Sequence, residues 1–137
     1  MEREDINYLS QLVNENDLKS LYKKIKDNYE VNVLTPACEQ TLLVPVKDPI
    51  SDGSFYSGEV LVSSSIVEVD KEKGWSMIMD SNLKRSLYTA VLDASFAKGI
   101  YIDEIEELLC TALAEDIKEK EYKYKQVNST KVNFDLL

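Results

Sequence analysis

The chain has 137 residues, 44% of them hydrophobic and 30% charged, with a net charge of −9 and no histidine. That is the length of one domain, 1–137, with enough apolar material for a core and too little Gly and Pro for a disordered chain. The acidic balance argues against binding to nucleic-acid phosphates or anionic lipid, and the missing histidine removes the commonest metal ligand and the usual acid–base group near neutrality.

The N-terminal stretch reads as a helical hairpin. Ile6, Leu9, Leu12 and Val13 share one face of a helix from about Arg3 to Asn14. Asn16 or Asp17 is suited to cap a second helix through about Lys26, with Leu18, Leu21, Tyr22 and Ile25 turned inward. Tyr29 to Leu34 alternates as a strand that Pro36 should end. Gln40 to Val46 reads as the next strand, with Pro45 marking an edge position or an irregular strand end. Pro49, Asp52 and Gly53 then make a loop.

The best-patterned stretch runs from Phe55 to Lys98. FYSGEVLVSSSIVEV is rich in β-branched residues and reads as a long strand. DKEKG is a charged turn closed by Gly74, and WSMIM is the return strand. Asp80-Ser81 offers cap chemistry for a helix with Leu83, Leu87, Ala90, Val91, Ala94 and Ala97 on its stripe, ending at Gly99. A second long helix is expected from Ile102, capped by Asp103, to about Gln126. Its stripe is Ile105, Leu108, Leu109, Ala112, Leu113 and Ile117, and it fades into KEKEYKYKQ. The closing VNSTKVNFDLL is short and apolar at its end. The expected fold is α+β: an antiparallel sheet of about four strands, with an N-terminal helical hairpin and two long C-terminal helices packed on it.

Chemistry is sparse. Cys38 and Cys110 fit no ligand spacing, and Cys110 lies beside the apolar stripe of the last helix, where a core role is expected. Gly53, Gly58, Gly74 and Gly99 form no phosphate loop. The carboxylates Asp103, Glu104, Glu106, Glu107, Glu115 and Asp116 read as a solvated helix face. Asp93, among apolar neighbours, reads as a buried structural carboxylate, and Trp75 as core or interface material. No catalytic residue, cofactor site or metal site is assigned. No stretch is long and apolar enough for a membrane span. MEREDINYLS lacks the basic and apolar runs of a signal peptide, so a cytoplasmic chain with reduced thiols is expected.

The order of these motifs resembles the PhnG subunit family of the bacterial carbon–phosphorus lyase system. The likeness rests on Phe55, Gly58 and Glu59 at the entry to the long strand, Gly74-Trp75 at the return strand, and Asp93-Ala94 inside the following helix. It closes on Val127, Asn128, Ser129, Thr130, Lys131, Val132, Asn133 and Phe134. It covers the chain from about Asp17 onward. The family often carries Gly-Arg-Asp where this chain has Asp80, Ser81 and Asn82. It often has Arg and Asp in place of Lys131 and Asn133, and a second Phe in place of Asp135. The resemblance implies a non-catalytic subunit that assembles with PhnI-, PhnH- and PhnJ-like partners. That complex moves an alkylphosphonate onto the ribose of ATP, with the reacting groups and the iron–sulfur cluster held by other subunits. Under this reading Glu59, Trp75, Val127, Asn128, Lys131, Val132, Asn133 and Phe134 are the interface candidates, with Phe134 as anchor. The tail is expected to dock on the PhnI-like partner or on a second copy in a homodimer, with folding back on its own domain as the competing reading. An acidic adaptor or secretion-type chaperone, and a stand-alone carboxylate enzyme, are the alternative readings of the composition.

Overall fold

The computed structural model describes residues 1–50 and 53–135; side-chain environments are described for 1–50, 53 and 58–127. The elements run α1 (Asp5–Leu9), α2 (Glu15–Asn28), β1 (Val31–Lys47), β2 (Ser54–Val69), β3 (Glu72–Met79), α3 (Leu83–Lys98) and α4 (Ile102–Asp135). The fold is α+β, as the patterning implied.

The sheet has three antiparallel strands in the order β1-β2-β3, where four were expected. The two short strands foreseen on either side of Pro36 are one strand. The register against β2 slips between Val33 and Thr35 and again between Thr35 and Cys38, so extra β1 residues bulge out around the proline while pairing resumes beyond it. A proline is tolerated there because β1 is an edge strand and its missing N–H breaks no interior ladder. Pro45 lies at a third slip, next to Val44, on the same edge strand, in keeping with the position its sequence implied.

Several local devices differ from the sequence reading. The hairpin turn is two residues, not five. Asp70 and Lys71 both take positive φ, as tight hairpins with a right-handed strand twist require. Gly74 therefore does not make the turn. It sits inside β3, where an added Cβ would lie 2.5 Å from the Ala90 carbonyl oxygen and 2.6 Å from the Ala94 Cβ. Its missing side chain is what lets α3 lie against the strand. Asn14, not Asn16 or Asp17, caps α2 by accepting from the Asn16 N–H, and Asn82, not Asp80 or Ser81, caps α3 by accepting from the Arg85 N–H. Gly99 closes α3 with φ 89°, as expected, and Ile100 N–H bonds back to the Ser95 carbonyl.

α3 is the centre of the molecule. One side lies on β2 and β3, and α1, α2 and α4 pack on its remaining surface. It is accordingly buried nearly all round from Ser86 to Ser95, instead of along one stripe. The sheet meets it with small residues, Ser63, Ser65, Gly74 and Ser76, all buried. Ser76 Oγ donates to the Ser86 carbonyl at 2.7 Å, which satisfies a hydroxyl that would otherwise be a cost in the core. Arg85 of α3 donates to the carbonyls of Ser10 and Val13, holding the α1–α2 connection against the helix.

α1 is shorter than expected, but Ile6, Leu9 and Val13 are buried as their spacing implied. α4 begins before Asp103, which falls in the first turn instead of at the cap, and it runs 34 residues, about 51 Å at 1.5 Å per residue. Nothing between Ile100 and Leu137 is Gly or Pro, so no residue stops it. Its buried residues are Ile105, Leu109 and Ala112; Ile117 is exposed, and so is every residue from Lys118 to Val127. Cys110 is exposed as well, against the expected core role, because it lies outside the buried row of Ile105, Leu109 and Ala112.

Candidate functional site

The residues that carry chemistry converge at one place, the outer edge of β3. Asp93 projects from α3 and is 1% exposed. Its carboxylate accepts from Arg3 Nε at 3.0 Å and Arg3 Nη2 at 3.1 Å, a two-point pairing, and from the Trp75 backbone N–H at 3.0 Å. Arg3 Nη2 also donates to the Lys73 carbonyl at 2.7 Å. The hydrogen bond to Asp93 raises the Arg3 pKa above the ordinary guanidinium value. Further along, Met77 N–H donates to Asn7 Oδ1 at 2.9 Å, Met79 N–H to Gln11 Oε1 at 3.1 Å, and Asn7 Nδ2 reaches the Trp75 carbonyl.

Arg3, Asn7 and Gln11 are spaced by four, so they form one polar row along the N-terminal segment, beside the buried row of Ile6, Leu9 and Val13. Together with Asp93 they bond the outward amides of Trp75, Met77 and Met79 and the carbonyls of Lys73 and Trp75 on β3. A bare strand edge would offer those groups to another chain. Here side chains fill the place of a fourth strand, and this edge is sealed. The row was not singled out in the sequence. Polar residues four apart ordinarily mark a solvated helix face, and only the position of β3 gives this row its role.

A cleft of about 500 Å³ opens beside the seal, lined by Arg3, Glu4, Asn7, Trp75 and Asp93. Both Asp93 oxygens accept, from three donors in all, which suits a structural lock. A second open groove lies between α2 and α4, where Lys24 Nζ and Glu104 pair at 3.0 Å with both side chains about half exposed. Among the described residues no group of three or more His, Cys, Asp or Glu could hold a metal ion. No helix among them is long and apolar enough to cross a membrane.

The interface candidates do not form one patch. Trp75 is 50% exposed on the sheet face away from α3, beside exposed Ile66 and Met79, so it is surface and not core. Glu59 is exposed on β2 opposite Leu43. Val127 is 63% exposed on the free part of α4. The backbone of Asn128, Lys131, Val132, Asn133 and Phe134 continues α4, and their side chains lie outside the described residues, as does that of Phe55.

Two further surfaces stand out. β3 pairs with β2 only from Val62 to Val69, so the remainder of β2 and β1 projects as a two-stranded arm on which Leu42, Leu43, Val46 and Leu61 are exposed. α4 likewise leaves the body after Leu113, with Ile117, Tyr122, Tyr124 and Val127 exposed. An isolated hairpin and an isolated helix are both marginal in water, and exposed apolar groups on such elements mark association surfaces.

Two of the motifs that underlie the family likeness meet in the lock itself. Gly74 lies against Ala90 and Ala94, and Trp75 donates to Asp93, so the Gly-aromatic and Asp-Ala pairs form a single contact. A search of curated proteins gives no match. A family model described as phosphonate metabolism protein PhnG matches residues 1–137. With that match over its whole length, the chain belongs to the PhnG family and has its role in phosphonate metabolism.

Proposed function

We propose that this protein is a non-catalytic subunit of the carbon–phosphorus lyase core complex, working with PhnH-, PhnI- and PhnJ-like subunits. The assembly would make α-D-ribose 1-methylphosphonate 5-triphosphate from ATP and an alkylphosphonate, with the chemistry done by the other subunits in the cytoplasm. The observation that carries this reading is the pair of projections, the apolar two-stranded arm and the distal half of α4, each exposing apolar side chains on an element that is marginal when it stands alone. The committed state of Asp93, the buried carboxylate of the lock, supports it from the side of chemistry. The distal part of α4 and the segment after it, with Val127 and Phe134, is the surface assigned to the PhnI-like partner.

Co-expression with the PhnI-, PhnH- and PhnJ-like subunits, followed by affinity purification through the PhnI-like chain, tests this. Stoichiometric recovery of this chain is expected, and its loss when residues 128–137 are deleted. Recovery of the chain by itself, free of all three, overturns the assembly reading. Adenine release from ATP and methylphosphonate by the pure chain, above a contaminant control, overturns the non-catalytic one.

A further inference from the structure

We infer that two copies of this chain pair through the free edge of β1, about a two-fold axis at Leu43, joining their arms into one continuous antiparallel sheet. This goes beyond the lyase assembly and does not depend on it.

Backbone alternation shows which groups the β1 edge presents. Trp75, Met77 and Met79 donate outward to Asp93, Asn7 and Gln11, so the odd-numbered residues of β3 face away from β2 and the even-numbered ones bond it. Antiparallel pairing then turns the odd residues of β2 toward β3 and the even ones toward β1. The register from Cys38↔Ser64 to Val44↔Gly58 is unbroken, so Glu39, Thr41 and Leu43 carry their amides on the open edge, followed by Pro45 and Lys47. The β3 edge is filled by side chains. Among the described strands the β1 edge is the one left for another strand.

The sequence of that edge is complementary to itself. Between Cys38 and Lys47 the only charged residues are Glu39 and Lys47, at opposite ends. Of all antiparallel registers, the one centred on Leu43 sets Glu39 of each copy opposite Lys47 of the other. It also sets Leu42 opposite Val44 and Leu43 opposite Leu43, on both faces of the new sheet. Leu43 is 50% exposed in the single chain. Ser81 Oγ donates to one oxygen of the Glu39 carboxylate, which fixes that side chain and leaves its second oxygen for the lysine of the second copy. Pro45 withholds one donor in each chain; the remaining edge amides pair. A self-complementary patch of this kind is what a two-fold interface requires. A contact made by one short strand from each copy is of the weak, reversible class.

The test is sedimentation equilibrium of the isolated full chain over about 1 to 500 µM, a range bracketing a micromolar constant. Reversible dimerisation is expected. Leu43→Lys puts two ammonium groups on the axis and should weaken the dimer at least tenfold. Lys47→Glu should weaken it, and Glu39→Lys combined with Lys47→Glu should restore it, because the charges are then exchanged and opposed again. These positions are exposed, so wild-type melting is expected of each variant and is checked. In a Cys38→Ser, Cys110→Ser background, Leu43→Cys should give an oxidised dimer, since directly opposed residues in a hydrogen-bonded pair lie about 5.5 Å apart at Cα. Ile117→Cys in the same background should not. A monomer at every concentration, or a charge exchange that fails to restore pairing, overturns the inference. So does a monomeric chain whose Leu43→Lys variant loses co-purification with the other lyase subunits, an outcome that assigns this edge to a different protein and leaves the subunit reading standing.

Discussion

Replacing Asp93 with Ala tests whether the lock holds the N-terminal segment, β3 and α3 together. Three donors lose their acceptor at once: Arg3 Nε, Arg3 Nη2 and the Trp75 N–H. The Trp75 amide, left without a partner at a partly buried site, costs about 1–2 kcal/mol. The Arg3 pair is worth about 1 kcal/mol, because the Arg3 side chain is 45% exposed and water can take over its donors. With the small void left by the carboxylate, the sum is about 3 kcal/mol. For 137 residues that corresponds to a fall of about 10 °C in melting temperature. Trp75 is the only tryptophan in the chain and its amide is part of the lock, so its fluorescence reports the site while circular dichroism reports the fold. The double change Arg3→Ala, Asp93→Ala should be less destabilising than the sum of the single changes, by about 1 kcal/mol. A melting temperature within 2 °C (roughly 0.5 kcal/mol) of wild type for Asp93→Ala, or strict additivity in the cycle, refutes the reasoning.

Other outcomes follow from the same geometry. The folded-state pKa of Arg3 is raised, so its contribution is complete below the ordinary guanidinium value and is lost only as pH climbs through the raised one; the Asp93–Arg3 coupling should be flat between about pH 6 and pH 9 in urea titrations. Gly74→Ala should cost about 2–3 kcal/mol because β3 or α3 must shift, while Gly58→Ala, with open space around it, should cost under about 1 kcal/mol, both read by thermal unfolding. Trp75→Ala should cost only about 1 kcal/mol, since the ring is half exposed, and its larger effect should be on co-purification with the lyase subunits. A chelator should leave the melting temperature unchanged, and a fall of several degrees would reveal a metal site.

The sequence by itself determined the helices, the long strand β2 and most of the core. The i, i+3, i+4 spacing of Ile6, Leu9 and Val13, of Leu18, Leu21 and Ile25, and of Ile105, Leu109 and Ala112 placed three helices, and all of these residues are buried. β-branched density located β2, and Gly99 ended α3 where its permissive φ implied. The order of motifs pointed to the family, which the match over residues 1–137 shows. Buried Asp93 was legible as structural, because an unpaired carboxylate in apolar company is untenable.

Tertiary structure decided the rest, for reasons that periodicity does not carry. Pro36 reads as a stop until one sees that β1 lies at an edge, where a missing N–H can be absorbed in a bulge. Gly74 reads as a turn residue until α3 is found pressed against it, because close approach involves two segments and a local pattern describes one. Ile117, Trp75 and Cys110 looked like core or interface alike, and burial is settled by what lies opposite, not by the residue's own hydrophobicity. Arg3, Asn7 and Gln11 matter because they fall alongside the β3 edge, more than sixty residues away in sequence, where their side chains replace the hydrogen bonds of a missing strand.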